Sequence, residues 1–290
     1  MTGAASGKTH RDENFPVASL LIQERLRPAI LAFYRFARAA DDVADHPRLP
    51  ADEKLALLDR LEETLLGRMD GAEDALPLRR ALAERGQSPR HGQDLLKAFR
   101  QDVTRRRYQD WDDLIEYCAW SAMPVGRFVL DVHGESRATW PASDALCAAL
   151  QVINHLQDCA IDYRNLDRVY IPLDALERNG ATVQALAAGQ ATPGLRQCIG
   201  ELARSTSALL DQAEPLAGQV NDLRLGLEIA VIQRLARTLT GLLMRRDPLS
   251  ERVHLSKAGV AAVGSSAIML GLGRRIARRL GAAGTRPQDA

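Results

Sequence analysis

The chain has 290 residues, 46% of them hydrophobic, enough for one large domain with a sizeable buried core. Its 38 Lys plus Arg are balanced by 37 Asp plus Glu, a formal net charge of +1. No overall field therefore draws it to nucleic acid or to an anionic membrane, and any affinity for a polyanion must come from local arrangement.

Residues 1–14 are polar and lack the apolar stretch of a secretory signal, and they read as a tail ahead of a domain over 15–281. Residues 282–290 read as a second tail. Between them, breakers and apolar periodicity predict helices near 16–45, 51–69, 74–85, 91–107, 110–133, 142–164, 194–219, 221–246 and 255–280. No segment alternates with β-branched residues, so no sheet of consequence is expected. The expectation is all-α: one helical domain without linker or internal repeat. Cys118, Cys147, Cys159 and Cys198 show neither C-x-x-C spacing nor a zinc pattern with histidine. Three lie in apolar helical segments as small buried hydrophobes, and a reducing cytoplasm is the simple reading.

Two predicted helices combine an apolar body with acidic residues near the C-terminal end. In the first, Tyr34, Arg38, Asp41 and Asp45 are spaced 4, 3 and 4 and share one face, whereas Asp42 lies about a quarter-turn away. Like charges four apart cost ~0.2–0.5 kcal/mol even on an exposed helix, and a helix C-terminus disfavours anions. Something positive must offset them; Arg38 and a divalent cation are the candidates. In the second, Asn154, Asp158 and Asp162 share a face over two turns. Such hard oxygen donors suit Mg²⁺, which keeps several waters and is often shared with substrate phosphates. Two such clusters facing each other would hold Mg²⁺ on a diphosphate and neutralise it as a leaving group. The apolar remainder of both helices would wall a pocket for a hydrocarbon tail. Taken singly, either stripe is equally well read as a solvated or salt-bridged helix end.

These residues carry a resemblance. Tyr34-Arg35-Phe36-Ala37-Arg38-Ala39-Ala40-Asp41-Asp42-Val43-Ala44-Asp45 resembles the first aspartate-rich motif of the squalene/phytoene synthase family, Y-x-x-x-R-x-x-D-x-x-x-D. The segment from Asn154 to Asp162 resembles the second, N-x-x-x-D-x-x-x-D, and Arg168-Val169-Tyr170 the R-x-Y segment downstream. The resemblance implies an isoprenoid synthase fold, a helical bundle around a central cavity. It further implies that Asp41, Asp45, Asp158 and Asp162 are catalytic through Mg²⁺, with Asn154 as a further metal ligand. Tyr34, Arg38, Arg168 and Tyr170 become contacts or supports for an isoprenoid diphosphate.

The sequence also departs from the family. Squalene synthases carry Y-C-x-Y-V-A-G-x-V-G in the middle helix, where this chain has Tyr117-Cys118-Ala119-Trp120-Ser121-Ala122-Met123-Pro124-Val125-Gly126. Trp120 replaces a tyrosine; its indole supplies no phenolic oxygen, but its face can stabilise a carbocation. Pro124 interrupts the helix. Gln157 stands where an arginine often precedes the aspartate, and the family's S-[RK]-S-F is replaced by Asp12-Glu13-Asn14-Phe15. These departures, with Ser121-Ala122-x-Pro124-Val125-Gly126-Arg127, resemble the bacterial subgroup that makes hydroxysqualene for hopanoids. The subgroup takes presqualene diphosphate from a sister enzyme, ionises and rearranges it, and lets water capture the product. The rival readings are head-to-head condensation of farnesyl or geranylgeranyl diphosphate, and a non-catalytic helical scaffold.

Other residues carry weaker signals. Asp102 ends a helix with Arg105, Arg106, Arg107 and Tyr108, where the family it resembles also has an Asp and an R-Y pair; a solvated helix end is the better reading for Arg105 and Arg106. His133 and His155 sit on apolar helices as satisfied histidines, with a proton relay the alternative for either. Phe33, Phe36, Phe128 and Trp120 are read as cavity lining or plain core. Ala258–Gly273, uncharged and followed by Arg274, Arg275, Arg278 and Arg279, is shorter than a spanning helix. It reads first as a packed helix and second as a peripheral contact with the inner membrane face.

Overall fold

The computed structural model describes residues 23–267, and all structural statements concern these. The order is a 3₁₀ turn over Glu24–Leu26, then α1 (Arg27–Ala44), α2 (Ala51–Leu65), α3 (Leu76–Arg85), α4 (Arg90–Thr104), α5 (Trp111–Ser121) and α6 (Met123–His133). It continues with α7 (Trp140–Leu166), α8 (Leu173–Arg178), α9 (Pro193–Ala213), α10 (Leu216–Gln219) and α11 (Leu223–Leu243). Residues 257–267 are helical to the end of the described chain. The expected absence of sheet holds among the described residues, where one isolated bridge joins Arg107 and Val169.

Local chemistry sets these boundaries. The Asp222 side chain accepts from the backbone N–H groups of Arg224 and Leu225 and starts α11. Pro124 sits in the first turn of α6, and the helix expected over 110–133 breaks at Ala122 into α5 and α6. The helix expected over 194–219 breaks before Pro215. The one expected over 91–107 stops at Thr104, and Arg105–Arg107 run extended beyond it. The short α8 was not foreseen. Residues 16–22 and 268–280 of the first and last expected helices, and both expected tails, lie outside the described residues.

Two clusters of buried side chains form the core. One joins α1–α4 with Phe128 and Val132 of α6, around Phe36, Leu58, Leu78, Leu95 and Leu96. The larger is organised by α7, which packs most extensively on α9 and also on α6 and α11. At 27 residues, α7 spans about 40 Å. Its apolar residues run round most of the circumference, as a helix enclosed by others requires. Gly126 lets α6 approach α7: a Cβ there would lie 2.5 Å from both Ser143 Oγ and Cys147 Sγ.

Candidate active site

A cavity of about 300 Å³ lies where the two clusters meet, enclosed by α1, α6, α7, α10 and α11. From α1 it is lined by Ile30, Phe33, Tyr34 and Ala37, and from α7 by Ser143, Leu146, Cys147 and Leu150. Phe33 stacks on Phe128 with ring centroids 4.0 Å apart, and both line it. Phe36 is instead fully buried in the first core cluster.

The cavity-facing stripes of α1 and α7 continue into the acidic ones. On α1 the face through Ile30, Tyr34 and Ala37 proceeds to Arg38, Asp41 and Asp45; on α7 the face through Ser143, Cys147 and Leu150 proceeds to Asn154, Asp158 and Asp162. Both run toward helix C-termini, and those ends meet. Arg168, two residues beyond α7, donates from Nη1 to Asp45 Oδ1 at 2.5 Å and from Nη2 to the Ala44 carbonyl at 3.3 Å. Both acidic stripes therefore sit at one end of the cavity.

A turn aims Arg168. Asp167 closes α7 with φ of +51°, a left-handed conformation that is uncommon outside glycine but tolerated by Asp. The Arg168 N–H then bonds the Asp162 carbonyl. Arg106 and Arg107 hold the Asp167 carboxylate at 2.9 and 2.6 Å. The extended segment after α4 thus straps the chain that follows α7, and the Val169 N–H donates to the Arg106 carbonyl. Arg106 lies past the helix end, solvent-exposed as expected but with its guanidinium on Asp167, and Arg105 reaches Asp113.

Beneath the strap lies Asp102, buried, accepting from the Tyr117 hydroxyl at 2.9 Å and the Tyr170 hydroxyl at 3.0 Å. Its backbone carbonyl accepts from Arg168 Nε. Burial pushes its carboxyl up to about 6, opposed chiefly by Arg168 and the two phenols. Tyr170 stacks on His155, centroids 3.5 Å apart, and His155 Nδ1 lies 3.9 Å from Asp162. A chain of contacts thus joins Asp45 of the first stripe to Asp162 of the second. Tyr170 serves as support here. Asp102, Tyr117 and Lys54, whose Nζ caps the Ala44 carbonyl at 2.9 Å, are site residues beyond those expected. Lys54 sits on a polar helix face, and nothing in its spacing signals the role.

Arg38 offsets negative charge as expected, at 2.6 Å from Asp41, but also grips Asp42 at 2.8 Å, so Asp42 belongs to the cluster. Burial and then the neighbouring Asp45 hold the Asp41 carboxyl well above the usual carboxylate range, against the pull of Arg38. Trp120 falls outside the residues lining the cavity and carries the Lys97 ammonium 4.1 Å from its ring centroid. Gln157 donates to the Val253 carbonyl.

The donors of the two stripes are hard oxygens, the type that Mg²⁺ takes. Among the described residues no three acidic, histidine or cysteine side chains converge on one metal-sized point. A cation here would take part of its shell from water or a ligand, as Mg²⁺ does on phosphate substrates. Asp41, Asp42 and Asp45 cluster at the C-terminal end of α1, with Arg38 and Arg168 as the cationic groups paired with them.

Comparison with known proteins finds relatives over most of the chain. Residues 8–259 match the family model described as squalene/phytoene synthase. The chain is 59% identical over 258 residues to a protein named hydroxysqualene synthase from Rhodopseudomonas palustris, covering 88% of each. It is 53% identical over 278 residues to one of the same name from Sinorhizobium fredii, covering 94% of this chain and 95% of that one. A crystal structure of a squalene synthase from Alicyclobacillus acidocaldarius superposes with a TM-score of 0.70 at 32% identity, covering 79% of this chain and 87% of that one. The chain belongs to the squalene/phytoene synthase family and has its isoprenoid synthase fold.

Proposed function

We propose that this member of the squalene/phytoene synthase family is a hydroxysqualene synthase. It ionises presqualene diphosphate and lets water capture the rearranged cation, giving hydroxysqualene and diphosphate. The observation that carries this reading is the pair of acidic stripes at one end of an apolar cavity, bridged by Arg168 on Asp45. The names of the relatives that match nearly the whole chain support this choice of reaction.

Asp41, Asp45, Asn154, Asp158 and Asp162 hold the metal. Bound Mg²⁺ supplies Lewis-acid neutralisation of the leaving diphosphate. Arg38 and Arg168 add fixed positive charge, and the Asp102 hub keeps Arg168 and Tyr170 from moving as charge develops. Tyr34 stands where the acidic stripe of α1 gives way to the cavity. The apolar walls take the hydrocarbon and limit the water that reaches the cation. The reaction is redox-neutral: a carbon–oxygen bond to diphosphate breaks and one to water forms.

An enzyme that condenses two farnesyl diphosphates must supply the substrate, and the reading places this chain in the cytoplasm, with contact at the inner membrane face for an oily product. No helix among the described residues is long and apolar enough to cross a membrane. The test is product analysis by mass spectrometry after incubation with Mg²⁺ and presqualene diphosphate, without a nicotinamide reductant. Hydroxysqualene is the expected product. Inert presqualene diphosphate beside consumed farnesyl diphosphate would overturn the assignment.

A further inference from the structure

The wall contributed by α11 holds one residue that the proposed reaction has not yet used. Leu225, Glu228, Ile229 and Ile232 share a face of that helix and line the cavity. Leu225, Ile229 and Ile232 suit a hydrocarbon. Glu228 does not: it is 4% exposed, and it is the one carboxyl among the described lining residues. A carboxylate in an apolar wall carries a desolvation cost that a fourth aliphatic side chain would avoid.

The reaction needs such a group. A carbocation in a dry hydrocarbon cavity has one easy exit, loss of a proton to give another alkene. Capture by water requires a water held inside, and a buried water needs two to four polar partners, which aliphatic walls lack. It also requires a base, because the oxygen that bonds to carbon must shed a proton. A carboxylate does both, and its negative charge stabilises the cation until capture.

We infer that Glu228 is the catalytic base that holds the attacking water of this reaction; Tyr34 and Ser143 are hydroxyl-bearing residues of the α1 and α7 walls of the same cavity. This rests on the function proposed above. In the step, a lone pair of the water oxygen forms the new carbon–oxygen bond and one water proton passes to a Glu228 carboxylate oxygen. That proton later leaves with the released diphosphate. Electrons and atoms balance without an oxidant or reductant.

The test reads alcohol formed per diphosphate released, from presqualene diphosphate with Mg²⁺, for the full chain and for Glu228→Gln and Glu228→Asp. The Gln variant keeps the shape but cannot take the proton, and the Asp variant withdraws the charge by one methylene. The alcohol per diphosphate is expected to fall roughly tenfold or more in the Gln variant, with hydrocarbon replacing it, and less in the Asp variant. Equal ratios in all three chains would overturn the inference. Should the Gln variant fail to melt cooperatively, the Asp variant decides: a lowered ratio supports the inference and an unchanged one overturns it. Asp41→Asn marks the difference in kind, since it should suppress diphosphate release itself. If the unaltered chain makes no alcohol from presqualene diphosphate, the function proposed above fails and takes this inference with it.

Discussion

At the scale of single residues, the site depends on long-range bonds around two side chains. Arg168 makes one ion pair and two backbone bonds in planar, forked geometry, to Asp45, Ala44 and Asp102. A lysine keeps the charge but cannot fill that fork. Arg168→Lys is therefore expected to lower the affinity for Mg²⁺ with diphosphate roughly 10- to 100-fold, as loss of a group that orients a metal ligand does; titration calorimetry reads it. Asp102 makes a pH prediction. In the fold it holds its proton up to about 6, against the ordinary 3.8. Between those values the folded state binds more protons than the unfolded one, so stability from this group is present at low pH and lost as pH rises through the window. The stability of the unaltered chain relative to Asp102→Asn should fall by on the order of 2 kcal/mol from about pH 4 to about pH 7 without divalent cations. Urea unfolding at the two pH values checks it, and a constant difference would contradict it. Both stripes were legible in the sequence because 3.6-residue periodicity puts Asp41 with Asp45, and Asn154 with Asp158 and Asp162, on one face. The Asp102 hub was not, because its partners lie 15 and 68 residues away and no local pattern encodes them.

At the scale of elements, α1 and α7 do one thing twice: an apolar face lines the cavity and ends in oxygen donors. Close approach of α6 to α7 shapes the cavity wall between them. Gly126→Ala puts a methyl carbon against Ser143 and Cys147, so those side chains must turn away or α6 must move outward. We expect a loss of about 1–3 kcal/mol in stability, the usual cost of overpacking, seen as a lower denaturation midpoint. The sequence located the helices well where amphipathic runs are long. It overran at Thr104, where the extended strap to Val169 replaces a last helical turn, and it missed α8, too short for periodicity to register. Trp120 shows the limit of motif replacement: the indole sits where a family tyrosine is expected, yet it pairs with Lys97 outside the cavity lining.

At the scale of the whole molecule, the two acidic stripes belong to different parts of the core. Asp41 and Asp45 ride on the α1–α4 cluster, and Asp158 and Asp162 on the cluster built around α7. The cavity between the clusters has its polar end where Arg168 ties them together. Neither stripe alone surrounds a cation, so diphosphate binding should need both. Calorimetric titration with pyrophosphate in saturating Mg²⁺ tests this in the unaltered chain, in Asp41→Asn and in Asp158→Asn. Binding in the unaltered chain, lost in either variant and lost without Mg²⁺, is the predicted result; undiminished binding in one variant would show that a single stripe holds the diphosphate and would contradict the joint site.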